Sequence, residues 1–545
     1  MEAIRGSDMT FDLLIRNATV LDGSGGPAYG ADVAVDNGRI AAIGRVDGDA
    51  VRVIDAGGRV IAPGFIDIHS HTDTALFIDP RAESKVTQGI TTEVCGNCGF
   101  SPAPCLDEAG RAEQESWRRK HDIEDDWQTL DEMLSALECR RIGINFATLV
   151  GHSNLRAAVV GLANREASPR ELDEMKTLTR QAMEQGAFGI SSGLIYPPSC
   201  YANTAELVEL ARAVADYGGI YASHVRNEHD DLVDAVEEAI SIGRLSGAGV
   251  QISHHKACGA SNWGRVKMTL AMVRECRDIG MDISVDQYPY IASATSLSVL
   301  LPTWAHDGGD DALLHRIRVN REGLLGYLKE ISRDGGWLAN DGGWANVLIS
   351  SVGRRTSRDC EGKSLEDIAR ERHAEPEEVV LDLLSEERLA VSMVQFTQCE
   401  DDVRAVMRSD AAMFGTDASS RSTLGELSGG KPHPRAFGAY PRVLGRYVRE
   451  QNVIPLEAAI RKMTSMPARK LGLTDRGLLK VGNWADMVVF DQDKVIDAAT
   501  YENPHQIARG IDFVFVNGRP VVDDGELTDQ LPGVVLRRRY NRSAL

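Results

Sequence analysis

The 545-residue sequence predicts a (β/α)8 TIM-like barrel, an α/β fold, with a small β-sandwich domain and one insertion. Eight apolar, strand-like runs lie between residues 64 and 417, and each ends in polar or glycine residues before a helical pattern. Both chain ends instead carry short strands, which predicts that they pair in one domain. The long gap between the seventh and eighth runs predicts an inserted subdomain.

The composition argues against several classes of protein. The chain has 60 Lys and Arg against 80 Asp and Glu, a net charge of −20, and no basic run interleaved with aromatics, so we expect no nucleic-acid partner. It has no run of about 18 apolar residues, so we expect no membrane partner. Nine scattered cysteines do not make a disulfide scaffold, and the first residues lack a signal-peptide pattern. We therefore expect a cytoplasmic protein.

The two chain ends, residues 1–64 plus 471–545, are predicted to form the β-sandwich. In the first part, residues 32–36 alternate polar with apolar side chains before the turn Asn37-Gly38. Near the other end, Asn517-Gly518 repeats this turn between two apolar runs. An Asn-Gly pair between alternating runs is a strong signal of a β-hairpin.

Residues 65–470 are predicted to form the barrel. Residues 300–400 contain two Gly-Gly turns and helix-like stretches, and we predict that they form the inserted subdomain between strands seven and eight. The predicted strands are residues 64–71, 90–95, 144–150, 187–192, 219–224, 249–254, 281–286 and 412–417.

His69 and His71 lie two residues apart at the end of the first strand. Strand side chains alternate between faces, so both imidazoles point the same way and offer half of a zinc site. The alternative interpretation is two solvated loop histidines.

Cys98 follows the second strand in the segment Cys95-Gly96-Asn97-Cys98-Gly99. A zinc ribbon would need a second CxxC pair, and none exists. A thiolate metal ligand is the simpler interpretation. Cys98 is favoured because it lies in the glycine-rich loop, whereas Cys95 is expected to pack in the strand.

His224 ends the fifth strand and His254 ends the sixth. Strand alternation puts His254 and Lys256 on one face and His255 on the other. Because Lys256 at the barrel mouth would suit an anionic substrate, His254 is the predicted ligand. The alternative is that His255 is functional and Lys256 is merely solvated.

Asp417 ends the eighth strand, after glycine and threonine. A lone Asp after a strand is often a helix cap. The strand count, however, places this one beside His69 and His71 across the barrel closure. The polar residues thus collect at the carboxyl ends of the strands, where barrel enzymes carry their active sites.

This constellation resembles the amidohydrolase superfamily, whose hallmark is HxH on strand one, His on strands five and six, and Asp on strand eight. Within it, the chain is similar to the D-aminoacylases, the N-acyl-D-amino-acid deacylases. The matching segments are GNCGF (96–100), SSGLIYPP (191–198), SHVRNE (223–228), ISHHK (252–256), DQYPY (286–290), HPRAFGAYPRVLGRYVRE (433–450) and LKVGNWADMVVFD (479–491).

The resemblance implies zinc-dependent hydrolysis of N-acyl-D-amino acids to a carboxylate and a free D-amino acid. It implies one tight zinc held by Cys98, His224 and His254. A second, weaker metal position would lie near His69, His71, Cys98 and Asp417. No lysine occurs in the fourth strand, where many binuclear relatives bridge their metals with one, and Cys98 matches the bridging cysteine of the D-aminoacylases. Asp417 is the expected catalytic residue, acting as general base and then as acid.

Four residues are expected to bind the substrate carboxylate: Lys256, Arg435, Tyr196 and Tyr288. Arg435 matches the arginine of the family's HPR motif, although the loop before it is longer than usual, and the alternative is a structural ion pair. Rival functions are cleavage of dipeptides with a C-terminal D-residue and cleavage of cyclic amides, as by hydantoinases or dihydroorotases. A non-catalytic scaffold would be expected to lack metal ligands. The sequence does not assign the side-chain pocket.

Overall fold

The computed structural model describes residues 4–106 and 108–539. Its strands are β1 (Ile4–Val20), β2 (Tyr29–Asp36), β3 (Arg39–Gly44), β4 (Val46–Asp55), β5 (Val60–Pro63), β6 (Phe65–Asp67), β7 (Ile90–Cys95), β8 (Asn145–Thr148), β9 (Val150–Gly151), β10 (Gly189–Gly193), β11 (Ile220–His224), β12 (Gly249–Ile252), β13 (Ile283–Gln287), β14 (Ala292–Ser296), β15 (Val347–Val352), β16 (Val391–Phe396), β17 (Ala412–Phe414), β18 (Met487–Phe490), β19 (Ile511–Val516), β20 (Arg519–Asp523) and β21 (Glu526–Leu527). Its α-helices are α1 (Ala75–Ile78), α2 (Glu83–Val86), α3 (Glu108–Lys120), α4 (Leu130–Arg140), α5 (His152–Val159), α6 (Pro169–Gln185), α7 (Thr204–Ala215), α8 (Leu232–Ser246), α9 (Val266–Asp278), α10 (Asp310–Val319), α11 (Arg321–Ser332), α12 (Trp337–Asn340), α13 (Leu365–Arg372), α14 (Pro376–Glu386), α15 (Glu400–Arg408), α16 (Arg435–Arg442), α17 (Leu456–Met463) and α18 (Ser465–Leu471). Within the described residues, no helix is both long enough and apolar enough to span a membrane.

The parallel strands of the middle region form the predicted barrel. One sheet joins β9, β10, β11, β12, β13 and β17 in that spatial order, and another joins β6, β7 and β8. β8 and β9 are two parts of the third barrel strand, interrupted at Leu149. The barrel closes between its first and last strands, where the Asp417 amide donates to His69 O at 2.8 Å and the His71 amide to Ala418 O at 3.1 Å. The barrel prediction is confirmed.

Local sequence signals set the ends of the barrel helices. Helix α6 begins with a capping box, in which the Ser168 side chain accepts from the Glu171 amide and the Glu171 side chain accepts in return. It ends at Gly186, whose φ of +115° is a conformation that favours glycine. Barrel strand β11, between helices α7 and α8, is buried along its whole length. A parallel strand that is covered on both faces appears in the sequence as a mostly apolar run.

The two chain ends meet in one hydrogen-bonded sheet of nine strands, β1 to β5 with β18 to β21. The junction is β5, which pairs parallel to β1 and antiparallel to β18. The pairing of the two ends is therefore as predicted. The chain after β21, however, leaves the sheet and reaches the barrel. There the Phe146 amide of barrel strand β8 donates to Val534 O at 3.0 Å. Residues 533–538 of the predicted domain 471–545 thus contact the barrel.

The insertion between barrel strands β13 and β17 has a small antiparallel sheet, in the order β14, β16, β15, with helices α10 to α14. A hydrophobic cluster of its own runs from Leu297 to Met393. The insertion begins at Ala292, earlier than the predicted residue 300. Its first strand, β14, has the sequence ASATS and is too weakly apolar to give a strand signal.

Candidate metal centre

The six predicted metal ligands lie together at the carboxyl ends of the barrel strands. They follow or end five different strands: His69 and His71 after β6, Cys98 after β7, His224 in β11, His254 after β12 and Asp417 after β17. Their ligand atoms form two groups within which all atoms lie within 4.8 Å of one another. Both groups contain Cys98, so its sulfur lies between them.

The first group consists of Cys98, His224 and His254. Cys98 Sγ lies 3.5 Å from His254 Nε2, which lies 2.9 Å from His224 Nδ1. All three residues are buried. Two residues turn the chain at this point in left-handed conformations, Cys98 with a φ of +52° and His254 with a φ of +34°. Such strained positions are often found at functional sites.

The donor atoms of this group fit a zinc ion. Zinc bonds of about 2.0–2.1 Å to nitrogen and about 2.3 Å to sulfur place tetrahedral ligand atoms roughly 3.3–3.6 Å apart. The separation of 3.5 Å between Cys98 Sγ and His254 Nε2 agrees with this requirement, whereas the 2.9 Å between His254 Nε2 and His224 Nδ1 is shorter, so the two imidazoles would have to move apart slightly to hold the ion. One cysteine and two histidines leave a fourth position open, as catalytic zinc sites do.

The second group consists of His69, His71, Cys98 and Asp417. Asp417 Oδ1 lies 3.0 Å from His71 Nε2 and 3.4 Å from His69 Nε2. His69 Nε2 also lies 3.3 Å from Cys98 Sγ. The two histidines therefore point the same way, as strand alternation predicts, and both face the carboxylate of the last strand.

Electrostatics in the two groups favour the ionised ligands. Burial opposes ionisation of Cys98, but the positive charges of His69 and His254 bring the pKa of its thiol well below the ordinary value. Burial likewise opposes ionisation of Asp417, but Arg435 and the same histidines bring the pKa of its carboxyl well below the ordinary value. Thiolate and carboxylate are the forms that bind metal.

Cys95, the alternative thiol, lies elsewhere. It is fully buried in strand β7 within the main hydrophobic cluster. Burial raises the pKa of its thiol well above the ordinary value. Of the two cysteines in the CxxC segment, the structure therefore brings only Cys98 to the centre.

The structure brings the ring of His254 to the centre, but not by the strand alternation from which its choice as a ligand was argued. Strand β12 ends at Ile252, which packs in the main hydrophobic cluster, whereas the Gln251 side chain donates to Asp286 Oδ2 at 2.6 Å. Continued alternation would put His254 on the face of Ile252. The left-handed turn at His254 breaks the pattern and brings its ring to Cys98. His255 Nε2 instead contacts Thr269 Oγ1 of helix α9 at 2.8 Å.

Lys256 lies beside the centre but is not a free cation. Its buried ammonium donates to Glu228 and lies 2.8 Å from His254 Nδ1. Glu228 Oε1 lies 3.1 Å from the same His254 nitrogen. In the tautomer in which Nδ1 carries the proton and donates a hydrogen bond to this carboxylate, the Nε2 lone pair is left for a metal.

Arg435 is also paired. Its Nη1 donates to Asp417 Oδ2 at 2.7 Å, so the ion pair weighed as an alternative is present. The guanidinium lies 4.4 Å from the centre of the Tyr288 ring, and its buried Nε has no hydrogen-bond partner among the described residues. The group is therefore able to form a further contact.

Tyr196 and Tyr288 lie against different residues of the centre, Tyr196 against His224 and Tyr288 against Arg435. The Tyr196 ring is 5.1 Å from the His224 ring, and its hydroxyl lies 3.0 Å from Thr295 Oγ1. The Tyr288 hydroxyl accepts from Gln398 Nε2 at 3.1 Å. Both tyrosines line a cleft of about 1850 Å³ that includes the centre, so all four predicted substrate residues lie at its wall.

Two carboxylates that support the centre were not assigned a role from the sequence. Glu228 contacts His254 as described above, and Asp286 Oδ1 lies 3.0 Å from His69 Nδ1. Asp286 ends the seventh predicted strand, and Glu228 lies four residues after His224, so both positions carried a usable signal. Two further polar residues at strand ends make contacts within the protein: Arg226 donates twice to Glu238, and His152 contacts Glu206 at 2.9 Å.

Comparison with known proteins agrees with this geometry. A sequence profile described as "Amidohydrolase family" matches residues 52–522. The N-acyl-D-glutamate deacylase of Alcaligenes xylosoxydans xylosoxydans is 38% identical over 529 residues, which are 97% of this chain and 96% of that protein. The D-aminoacylase of the same organism is 36% identical over 540 residues, 97% of this chain and 98% of that protein.

A solved structure matches over the same length. It is the crystal structure of N-acyl-D-glutamate deacylase from Bordetella bronchiseptica, complexed with zinc and a phosphonate inhibitor that mimics the tetrahedral intermediate. The match has a TM-score of 0.80 at 34% identity and covers 97% of this chain and 100% of that one. The chain described here therefore belongs to the amidohydrolase family.

Proposed function

We propose that this protein is a zinc-dependent hydrolase that cleaves N-acyl-D-amino acids to a carboxylate and a free D-amino acid. The observation that carries the proposal is the sharing of Cys98 between two groups of metal-ligating atoms, one of which includes Asp417. The relatives with 38% and 36% identity over nearly the whole chain are an N-acyl-D-glutamate deacylase and a D-aminoacylase.

Zinc is the metal we propose, held tightly by Cys98, His224 and His254, with a weaker position near His69, His71 and Asp417. When bound, it lowers the pKa of a coordinated water and polarises a carbonyl group. The carboxylates hold the ligand histidines in place: Asp286 faces His69 Nδ1 at 3.0 Å, and Glu228 faces His254 Nδ1 at 3.1 Å. Such partners orient ligands and raise their basicity.

Asp417 is the proposed catalytic residue. Its Oδ2 is held by Arg435 at 2.7 Å, so Oδ1, which faces His71 and His69, is the atom we propose to exchange protons. Although burial opposes ionisation, Arg435 holds the pKa of this carboxyl well below its ordinary value, so the group is ionised, the form in which it can accept a proton from the attacking water. It then donates that proton to the leaving nitrogen, because an amine leaves far more easily than an amide anion.

The carboxylate of the substrate is proposed to bind beside Tyr288. The charged groups of Arg435 and Lys256 lie 4.4 Å and 5.8 Å from the centre of this ring. Although each is already paired with a carboxylate, Arg435 has an unused buried Nε, which suits a planar anion. Tyr196, against His224, is proposed as a hydrogen-bond donor.

The proposed setting is the cytoplasm, because nine cysteines scattered through a long chain do not make a disulfide scaffold of the kind found in oxidising compartments. The proposed partner is the small-molecule substrate alone, and the absence of nucleic-acid binding stays a prediction.

The proposal is tested with three substrate classes on the zinc-loaded protein. N-acetyl-D-amino acids, L-Xaa-D-Xaa dipeptides and hydantoins are supplied at equal concentration, and release of the free amine or ring opening is measured. We expect the highest kcat/KM for the N-acetyl-D-amino acids. Preference for dipeptides would assign a dipeptidase, and activity confined to hydantoins would overturn the proposal.

A further inference from the structure

The charges lining the cleft limit which substrate side chain it accepts. Among the described residues that line it, four are lysine or arginine, whereas six are aspartate or glutamate. The acidic residues are Glu228, Asp230, Asp231, Asp310, Asp311 and Asp417. A substrate with a second carboxylate would therefore enter a cleft in which acidic side chains already outnumber basic ones.

Each of the four cations also has an acidic partner. Arg226 holds Glu238 through two contacts of 2.9 Å, and Arg388 lies 3.7 Å from Asp311 on exposed side chains. The other two, Lys256 and Arg435, are paired with Glu228 and Asp417 and are the proposed partners of the substrate's α-carboxylate. No buried cation of the described lining is left for a side-chain carboxylate; Arg388 remains, with an exposed side chain beside the exposed Asp311.

The wall between these cations and His224 is neutral. Strand β14 reaches from Arg435 to Tyr196. Ala294 O accepts from Arg435 Nη2 at 3.4 Å, and Thr295 Oγ1 lies 3.0 Å from the Tyr196 hydroxyl. Met393 of β16 pairs with Thr295 in this sheet, and Ser298 follows in the next turn; both line the cleft. A substrate held at both ends therefore lies along uncharged side chains.

The cleft also offers an apolar surface beside Tyr196. Phe100, two residues after Cys98, lines the cleft and has 44% of its surface exposed. Its ring centre lies 5.8 Å from that of Tyr196. Covering this ring with an apolar substrate side chain would remove exposed apolar surface from water, which favours binding.

We infer that the cleft selects N-acyl-D-amino acids with neutral, apolar side chains and discriminates against D-glutamate and D-aspartate derivatives. The inference rests on the proposed function and names its substrate class. It also separates this chain from a relative at 38% identity that is an N-acyl-D-glutamate deacylase.

The first test compares N-acetyl-D-methionine, N-acetyl-D-glutamine and N-acetyl-D-glutamate on the zinc-loaded protein. Glutamine and glutamate have the same size and differ in charge, so their ratio isolates the effect of the charge. We expect kcat/KM for glutamate to be at least about tenfold below that for glutamine and on the order of 100-fold below that for methionine. Glutamate hydrolysed as efficiently as glutamine would overturn the inference while leaving the proposed function intact. Hydrolysis of none of the three would overturn the proposed function as well.

The second test places a cation in the neutral wall. Ser298→Arg is expected to raise the glutamate-to-glutamine ratio of kcat/KM by about tenfold, because the guanidinium supplies the missing partner. Ser298→Gln, which adds a long side chain without charge, is expected to leave that ratio unchanged. If the arginine variant keeps the ratio of the unmodified protein, Ser298 does not face the substrate side chain and the assignment of this wall is wrong.

The third test concerns the apolar wall. Phe100→Ala is expected to lower kcat/KM for N-acetyl-D-methionine by about tenfold and to leave that for N-acetyl-D-alanine nearly unchanged, because only the longer side chain reaches the ring. An equal loss for both substrates would contradict the role given to Phe100.

Discussion

Two buried groups of ionisable side chains lie at the same end of the barrel. They differ in whether hydrogen-bond donors meet acceptors. In the first, the ammonium of Lys85 from helix α2 meets only acceptors, among them Asp67 Oδ2 at 2.8 Å, Thr416 Oγ1 at 2.7 Å and Ala418 O at 2.7 Å. In the second, the thiol of Cys98 and imidazole nitrogens converge on one another. A group in which a buried cation is surrounded by hydrogen-bond acceptors stabilises the fold. A group in which potential metal ligands face one another indicates a binding site for a metal ion.

The two groups are also mechanically linked. Lys85 and Asp67 both bind Thr416, the residue before Asp417, and Lys85 binds Ser70, which lies between His69 and His71. Lys85 and Asp67 are fully buried. The first group therefore fixes the two chain segments on which the second group depends, and the following variants separate their roles.

The largest effect is expected from Asp417→Asn. Loss of the proton-exchanging carboxylate should lower kcat by at least about 10³-fold, because Asp417 is the group proposed to protonate the leaving nitrogen. The tight zinc should remain, since Cys98, His224 and His254 are unchanged. Steady-state kinetics with metal analysis checks both statements, with the exposed Asp493→Asn as the control expected to behave as the unmodified protein.

Cys98→Ala is expected to abolish stoichiometric zinc binding, because it removes the thiolate from both groups. Cys95→Ala is the matched control in the same CxxC segment and should retain the metal, since Cys95 packs in the strand. Metal content after dialysis measures the difference. One equivalent of zinc in the Cys98 variant would refute the ligand assignment.

Lys85→Met tests the group formed by Lys85, Asp67 and Thr416. Leaving Asp67 buried without its partner should lower the free energy of unfolding by about 3–5 kcal/mol, as measured by chemical denaturation. Lys176→Met, which breaks a partly exposed contact with Glu209, should cost less than about 1 kcal/mol. If the two variants are equally stable, the Lys85 group is not the structural support described here.

The smallest effect is expected from Tyr196→Phe. Loss of a single hydroxyl that donates to substrate should lower kcat/KM by about tenfold, with zinc content unchanged. Tyr201→Phe, whose hydroxyl donates to Thr303 O at 3.1 Å, is the control and should leave kcat/KM unchanged. Equal kinetics for both variants would remove Tyr196 from the substrate-binding residues.

Much of the fold and the identity of the gathered residues could be predicted from the sequence. Apolar runs that end in His, Cys or Asp mark barrel strands, because such strands are buried on both faces and their carboxyl ends meet at one mouth. The alternation argument nevertheless gave a wrong reason for His254, because the chain turns at a φ of +34° that no periodicity indicates.

The pairing of charges could not be predicted from the sequence. Lys256 and Arg435 were expected to bind the substrate carboxylate, and an ion pair within the protein was the alternative for Arg435 alone, but each contacts a carboxylate, Glu228 and Asp417. These contacts join residues 28 and 18 positions apart, so they depend on tertiary packing rather than on a local pattern. The start of the insertion at Ala292 was missed because β14 is built of small and hydroxyl residues.

The central claim is that Cys98, His224 and His254 hold a zinc ion that the protein uses to hydrolyse N-acyl-D-amino acids. The most direct measurement is a zinc titration of metal-depleted protein, with hydrolysis of N-acetyl-D-methionine and N-acetyl-L-methionine followed in the same samples. The account predicts that activity on the D-substrate rises to a plateau at about one equivalent of zinc, while the L-substrate stays uncleaved. Zinc-independent hydrolysis, or equal hydrolysis of the two enantiomers, would contradict it.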